Sequence, residues 1–266
     1  QNVTTNRWFN GRTVVMKPQL EHPVEWRLRT RTMRLPESDD LPLLMGIVNV
    51  TPDSFSDGGQ HDYIEAAVTH GLSLIEAGAD ILDIGGESTR PFSEPVDSEE
   101  EWRRVGEVVR ILSHDSDCPI SIDTSKACVA RNAISNGAEI INDVTGLEGD
   151  PAMIKIAVET GAGICAMHMQ GTPKTMQLKP EYENVVEEIY SYLEARRSGL
   201  VAAGVCPRSI CLDPGIGFGK THDHNIKLMQ KASRFLDLGS PILVGHSRKG
   251  FLGKLIKHTL DRDGST

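Results

Sequence analysis

Seven apolar segments of this chain each end in a polar residue of a kind that binds ligands or takes part in catalysis. These residues are Asn49, Asp83, Asp123, Asn142, His168, Asp213 and Ser247. A stretch with the composition of a helix follows each of them. In a parallel β/α barrel the active site lies at the carboxyl ends of the strands, where such side chains converge. The pattern therefore predicts a ring of candidate site residues.

Asp123, Asn142 and Asp213 form the most informative group, because each directly follows buried-looking Ile and Leu residues. A polar side chain in that setting must be hydrogen-bonded, or it costs a few kcal/mol. Two carboxylates and an amide at one barrel mouth suit a planar ring rich in N–H groups, such as a pterin or a guanine-like base. The alternative is a structural role, as a helix N-cap or an internal network.

Two long loops could close over such a ligand. Residues 49–59 are polar and end in a double glycine, which favours an active-site lid over a plain surface turn. The lid residues are Thr51, Pro52, Asp53 and Phe55. In the second loop, residues 85–95, Arg90 could clamp a carboxylate or phosphate, although an ordinary surface arginine is the alternative.

Three further features of the sequence bear on its chemistry. The glycine-rich segment 215–221 does not fit the Walker A motif, and we expect its glycines to let the backbone approach a flat ligand on which Phe218 packs. The Ser247-Arg248-Lys249 sequence places cations at a helix start, which favours a bound anion. His168, between two methionines, is more often a satisfied core histidine than a base.

The elements that position these residues alternate between strands and helices. Strands are predicted at 43–49, 80–84, 119–123, 139–143, 163–168, 209–213 and 241–246. Helices are predicted at 61–77, 98–113, 126–136, 151–160, 183–203, 224–238 and 248–258. This alternation indicates a parallel sheet. Polar groups at nearly every strand end favour a closed barrel over a doubly wound sheet, whose sites lie only at a switch point.

The chain therefore reads as a TIM (β/α)8 barrel of which seven units are visible, with the eighth β/α unit expected to be absent from residues 43–266. Residues 1–42 are expected to form an N-terminal extension. Within it, 26–35 alternates polar and apolar residues, which predicts a β-hairpin capping the barrel. A basic arm for nucleic acid is the alternative interpretation.

The composition excludes several classes of protein. With 39% hydrophobic and 24% charged residues, the 266-residue chain resembles an ordinary globular protein, and it contains no apolar run long enough to span a membrane. Its net charge of −9 argues against a dedicated nucleic-acid binder. The five cysteines lack a CxxC pair and are expected to be reduced, mostly buried thiols in the cytoplasm.

The motifs together resemble the signatures of the dihydropteroate synthases, a family of pterin-binding enzymes. The first signature is similar to Asn49-Val50-Thr51-Pro52-Asp53 and its neighbours. The matching segments occur in family order at 46–59, 83–91, 121–124, 141–143, 167–171, 213–215 and 247–249. The resemblance implies a TIM barrel that joins p-aminobenzoate to 6-hydroxymethyl-7,8-dihydropterin diphosphate, with the help of Mg²⁺. Products would be 7,8-dihydropteroate and diphosphate.

The resemblance also implies residue roles. Asp123, Asn142, Asp213 and Lys249 would hold the pterin, and Asp123, Arg90 and Lys249 would form the catalytic group. Asn49 would bind Mg²⁺. Other implied substrate-binding residues are Asp83 on the diphosphate side, Thr89 in the second loop, Met167, Phe218, Gly245, and Ser247 near p-aminobenzoate. The family is commonly dimeric, so a homodimer without nucleic-acid or membrane partners is expected.

Two departures from the family pattern leave alternatives open. His246 replaces a residue that is usually apolar, and the Arg-x-His pair of the eighth strand has no counterpart before Thr266. A pterin-binding methyltransferase domain would share the fold but lack the lid and the Ser247-Arg248-Lys249 sequence. A non-catalytic pterin-binding subunit would be explained by loss of the eighth strand.

Overall fold

The computed structural model describes residues 25–36, 41–51, 60–88 and 93–245. Its strands are β1 Glu25–Arg27, β2 Thr32–Arg34, β3 Met45–Asn49, β4 Ile81–Gly85, β5 Ile120–Asp123, β6 Ile140–Asp143, β7 Gly163–Met167 and β8 Ile210–Asp213. Its α-helices are α1 Gln60–Glu76, α2 Ser98–Asp115, α3 Ala127–Ser135, α4 Met153–Thr160, α5 Val185–Ala202 and α6 His222–Gln230. Short 3₁₀ helices cover Pro207–Ser209 and Ala232–Leu238.

Strands β3 to β8 form one parallel sheet in which every strand lies beside the next strand of the chain. A doubly wound sheet would reverse its strand order at a switch point, and none occurs among these six strands. The order β3-β4-β5-β6-β7-β8 is that of a barrel wall, with the connecting helices on the outside.

The predicted strand at 241–246 is present only as a single bridge between Leu212 and Ile242. The Leu212 amide donates to the Pro241 carbonyl and the Leu243 amide donates to the Leu212 carbonyl, both at 2.9 Å. Pro241 has no N–H to extend this ladder, which is one reason why the pairing is short. Position 246 and the helix predicted at 248–258 lie outside the described residues.

The two faces of the sheet carry different residues because side chains alternate along each strand. Residues such as Leu82, Ile122 and Ile141 point outward and pack in the main core beneath the helices. A second, smaller core lies on the inner face and contains Ile81, Ile140, Cys165 and Cys211 together with Trp26 and Leu28 of the hairpin. The inner face is therefore apolar at its amino end, which leaves its polar residues at the carboxyl end.

The hairpin β1–β2 is confirmed, with Trp26 paired to Met33 in an antiparallel register. The Trp26 indole donates to the Ser209 carbonyl at 3.0 Å, which fixes the hairpin below β8. Arg31 Nε contacts Glu139 Oε1 at 2.7 Å, so this arginine is tied to the barrel. The hairpin thus caps the amino end of the barrel, as the alternating pattern predicts.

Two other predictions need correction. The helix predicted at 224–238 is divided, because α6 ends at Gln230 and a 3₁₀ helix brings Phe235 and Leu238 into the core. Of the cysteines, only Cys165 and Cys211 are buried, whereas Cys128 on α3 is exposed. The described helices include none with the length and apolar character needed to cross a membrane.

Candidate active site

The carboxyl ends of β4, β5 and β6 bring three polar side chains together on the inner face. Asn142 Nδ2 donates to Asp83 Oδ2 at 2.9 Å. Asp123 lies between these strands, in register with Gly85 on one side and Asn142 on the other. Asp83 is buried, whereas Asp123 and Asn142 remain partly accessible from the barrel mouth.

The strand alternation explains which polar residue enters the barrel. In Ile120-Ser121-Ile122-Asp123 the isoleucines belong to the outer core, so Ser121 and Asp123 face inward. Asn142 and Asp143 are adjacent and must face opposite sides. Asp143 turns away from the mouth, and its Oδ1 accepts from the Thr145 amide at 2.8 Å. Only Asn142 of this pair therefore joins the site.

The inner carboxyl groups are electrostatically strained. Burial raises the pKa of Asp83, and the Ser121 hydroxyl and the Asn142 amide oppose this effect only in part. Burial also raises the pKa of Asp123 well above its usual range, and the negative charge of Asp83 adds to it. Asp83 Oδ1 and Ser121 Oγ are both buried without a hydrogen bond of normal geometry. A ligand that donates N–H groups would relieve this strain.

Asp213 is held on the opposite side of the group by the glycine-rich loop that follows β8. Its Oδ1 accepts from the Gly215 amide at 2.7 Å, and its carbonyl accepts from the His168 amide at 2.9 Å. Gly215 has a φ of 68°, and a Cβ atom there would lie 1.9 Å from the His168 carbonyl oxygen. This glycine is therefore required for packing against the β7 end, not only for approach to a ligand as we expected from the sequence.

Lys220 closes this loop with a buried ammonium group. Its Nζ donates to the Phe218 carbonyl at 2.8 Å and contacts His168 Nδ1 at 3.1 Å. Burial, followed by the charge of Lys220, lowers the pKa of His168 to about 3. The imidazole is therefore neutral and packs edge-on against Tyr192, with ring centroids 4.8 Å apart. His168 thus has the surroundings of a core histidine and not those of a general base.

The other predicted site residues fall into two sets. Asn49 is exposed at the end of β3, Met167 is buried beside Asp213, Thr51 and Phe218 are partly buried, and Gly245 is exposed. The second set lies outside the described residues and consists of Pro52, Asp53, Phe55, Thr89, Arg90, His246, Ser247 and Lys249.

The sequence interpretation missed Ser121 and Lys220 as parts of this region. Ser121 could have been found, because the period of two places it on the same face as Asp123. In the sequence Lys220 stands in the glycine-rich segment 215–221, which does not fit the Walker A motif. Its burial depends on the packing of two loops that are distant in sequence, and no local pattern signals that.

Oxygen atoms that could bind a metal ion lie at the carboxyl ends of β3 and β4. Asn49 offers an accessible amide oxygen on β3, and Asp83 lies on the adjacent strand β4. No cluster of three or more His, Cys, Asp or Glu that could hold an ion occurs within 25–36, 41–51, 60–88 or 93–245. Oxygen ligands in small number suit Mg²⁺, which commonly takes one or two protein ligands together with substrate phosphates.

Comparison with known proteins identifies the family. The model of the pterin-binding enzyme family matches residues 45–266. A dihydropteroate synthase of Neisseria meningitidis serogroup C is 47% identical over 223 residues, which are 83% of this chain and 78% of that protein.

Two solved structures are also similar. Xanthomonas albilineans dihydropteroate synthase with 4-aminobenzoic acid has a TM-score of 0.81 at 43% identity, covering 89% of this chain and 82% of that one. The Yersinia pestis dihydropteroate synthase in a sulfonamide drug complex has a TM-score of 0.79 at 42% identity, covering 88% and 83%. These similarities confirm the TIM-barrel prediction. The chain therefore belongs to the pterin-binding enzyme family, among the dihydropteroate synthases.

Proposed function

We propose that this protein is a transferase of folate biosynthesis, which condenses 6-hydroxymethyl-7,8-dihydropterin diphosphate with p-aminobenzoate to give 7,8-dihydropteroate and diphosphate. The observation that supports this most strongly is the inner group of Asp83, Asp123 and Asn142, with Asp213 opposite. This is an acceptor-rich floor beneath a barrel mouth, in a chain that belongs to a family of pterin-binding enzymes.

The pterin would lie on this floor and donate its ring N–H groups to Asp123, Asn142 and Asp213. Buried carboxylates with a raised pKa are costly until they receive hydrogen bonds, so such a ligand gains by satisfying them. A ring that offers fewer donors leaves the same groups unsatisfied. Specificity for the amino-pyrimidinone edge follows from this difference.

The diphosphate leaves from the methylene carbon, whose developing positive charge the electron-rich pterin ring stabilises. Asn49 and Asp83 would hold Mg²⁺ at the diphosphate edge of the floor. When bound, the ion offsets the negative charge that grows on the leaving group. Arg90 and Lys249, which lie outside the described residues, would act on the same charge or on the pterin edge.

The aniline nitrogen of p-aminobenzoate attacks the same carbon and loses a proton as the C–N bond forms. It is nucleophilic when neutral, so the reaction does not require a strong base, and the neutral His168 need not act as one. Phe218, Gly245 and Ser247 would line the p-aminobenzoate side. The lid residues Thr51, Pro52, Asp53 and Phe55, with Thr89 in the second loop, would exclude water from the reacting carbon.

Residues 1–42 would form the hairpin extension and residues 43–266 the pterin-binding barrel. We also propose a cytoplasmic homodimer, since reduced thiols suit that compartment. A diphosphate-release assay distinguishes this enzyme from a pterin-binding methyltransferase domain and from a non-catalytic pterin-binding subunit.

The decisive variants are Asp123→Ala and Lys249→Ala, assayed for diphosphate release in the presence and absence of p-aminobenzoate. Each should lower dihydropteroate formation by orders of magnitude while the protein stays folded by circular dichroism. Sulfonamides should inhibit in competition with p-aminobenzoate. Near-normal diphosphate release by either variant would count against the assignment, and a wild-type protein that binds pterin without turnover would favour the non-catalytic alternative.

A further inference from the structure

An ion bridge of three residues lies directly behind the proposed pterin floor. Lys126, three residues after Asp123, contacts both Glu87 and Glu101 through its Nζ atom. Glu87 belongs to the loop after β4, and Glu101 lies in the first turn of α2. We call these residues the Lys126 bridge. It connects the segments that follow β4 and β5 with the helix between them.

The Lys126 bridge differs from an ordinary surface ion pair because Glu101 has no exposed side-chain surface. An isolated buried carboxylate is strongly unfavourable, and removing its counter-charge is costly. Glu101 Oε1 has no hydrogen-bond partner in the described part of the chain, so this carboxylate depends on Lys126 through its other oxygen.

The bridge also fixes where the loop after β4 begins. A Cβ atom on Gly86 would lie 2.8 Å from Val105 Cγ1, so the chain passes tightly over α2 at this point. Arg104 Nη1 donates to the Gly86 carbonyl at 2.9 Å and holds the same segment. The Lys126 ammonium group contacts the next residue, Glu87, and so holds the segment that follows Gly86.

The charges of the bridge act on the floor itself. Four carboxyl groups act electrostatically on Asp123, namely those of Asp83 on β4, Asp143 on β6, Glu101 on α2 and Glu87 on the loop after β4. All four charges raise the pKa of Asp123 after the larger effect of burial. Lys126 is the cation that pairs with two of them.

We propose that Lys126 is a positioning residue for the reaction: through Glu87 and Glu101 it fixes the start of the loop after β4 and offsets the negative charge that these carboxylates place beside Asp123. The inference rests on the proposed function, because it requires that Asp123 accepts hydrogen bonds from the pterin in its ionised form.

The test compares Lys126→Met, Lys126→Arg and Glu87→Gln with wild type. Lys174→Met is the matched control, since it removes an ion pair of 2.9 Å to Glu94 in the same loop at an exposed position. The pH dependence of kcat/KM for the pterin diphosphate is measured together with binding of 6-hydroxymethyl-7,8-dihydropterin. Urea unfolding identifies any variant that does not fold.

Lys126→Met should move the acid limb of both profiles to higher pH by about one unit, which lowers kcat/KM by up to about tenfold at pH values below the limb. Lys126→Arg should restore most of the loss, and Lys174→Met should match wild type. Glu87→Gln removes a negative charge and should move the limb to lower pH. This opposite shift tests the charge effect even if Lys126→Met does not fold.

Acid limbs that stay at the wild-type pH in Lys126→Met and Glu87→Gln would overturn the proposal, whatever happens to the rate. A loss in Lys126→Met that Lys126→Arg does not repair would overturn it as well. Failure of the proposed function is a separate result: the wild type would form no dihydropteroate, while the binding profiles would still report on Lys126.

Discussion

The most informative perturbation is Gly215→Ala, in the loop that holds Asp213 and packs on the end of β7. At a φ of 68°, an alanine adopts the left-handed conformation at a cost of about 1–2 kcal/mol. Its Cβ would also lie 1.9 Å from the His168 carbonyl oxygen. Ordinary contacts are far longer, so the two loops must separate.

The structure provides a control that isolates the second effect. Gly161 at the end of α4 has nearly the same φ, 66°, but a Cβ there would meet no atom within 4 Å. Gly161→Ala should therefore cost only the conformational term of about 1–2 kcal/mol. Forced overpacking adds about 1–3 kcal/mol, so Gly215→Ala should cost about 2–5 kcal/mol.

Urea unfolding of both variants, followed by circular dichroism, measures this difference in the free energy of unfolding. The separated loops should also move Asp213 and Phe218. Because a displacement of about 1 Å in an active site can lower the rate by far more than tenfold, we expect kcat/KM to be at least about tenfold lower in Gly215→Ala. Turnover should be nearly normal in Gly161→Ala. Equal destabilisation of the two variants would refute the role assigned to the close approach of Gly215 and His168.

Two further predictions concern stability. Trp26→Phe removes the donor to the buried Ser209 carbonyl and should destabilise the fold by about 1–3 kcal/mol, with little change in kcat. A larger effect on kcat than on the free energy of unfolding in urea would contradict a capping role for the hairpin. Asp123→Asn should raise the free energy of unfolding at pH 8 while it lowers activity. The pKa of Asp123 is higher in the folded protein than its unfolded value of 3.8. Ionisation of this carboxyl group therefore lowers stability as the pH rises from 3.8 through the folded-state pKa, and the asparagine avoids that loss. That gain should shrink as pH falls towards 4, and a gain that is the same at all pH values would contradict the electrostatic explanation.

The sequence predicts most of this fold because its signals are local. Alternation in Ile120-Ser121-Ile122-Asp123 identifies a strand and the face that enters the barrel. A helix start is an equally local signal: the Asp97 side chain accepts from the Glu100 amide at 2.8 Å and begins α2. Gly161, in the left-handed conformation, ends α4 as its position in the sequence predicts.

The rest depends on contacts between distant residues. Lys126 meets Glu87 and Glu101 only after three segments have packed, and neither charge pattern nor spacing signals the pairing. Gly215 was expected to serve a ligand, whereas its neighbour is the His168 carbonyl. The 3₁₀ helix after α6 likewise forms where Phe235 reaches the core, a tertiary effect that overrides the helical pattern.

The central claim is tested most directly by incubating the protein with 6-hydroxymethyl-7,8-dihydropterin diphosphate, p-aminobenzoate and Mg²⁺, and quantifying 7,8-dihydropteroate and diphosphate together. We predict equal amounts of the two products, formation that requires p-aminobenzoate, and loss of both in Asp123→Ala. Pterin binding without either product, or diphosphate release that is independent of p-aminobenzoate, would contradict the assignment.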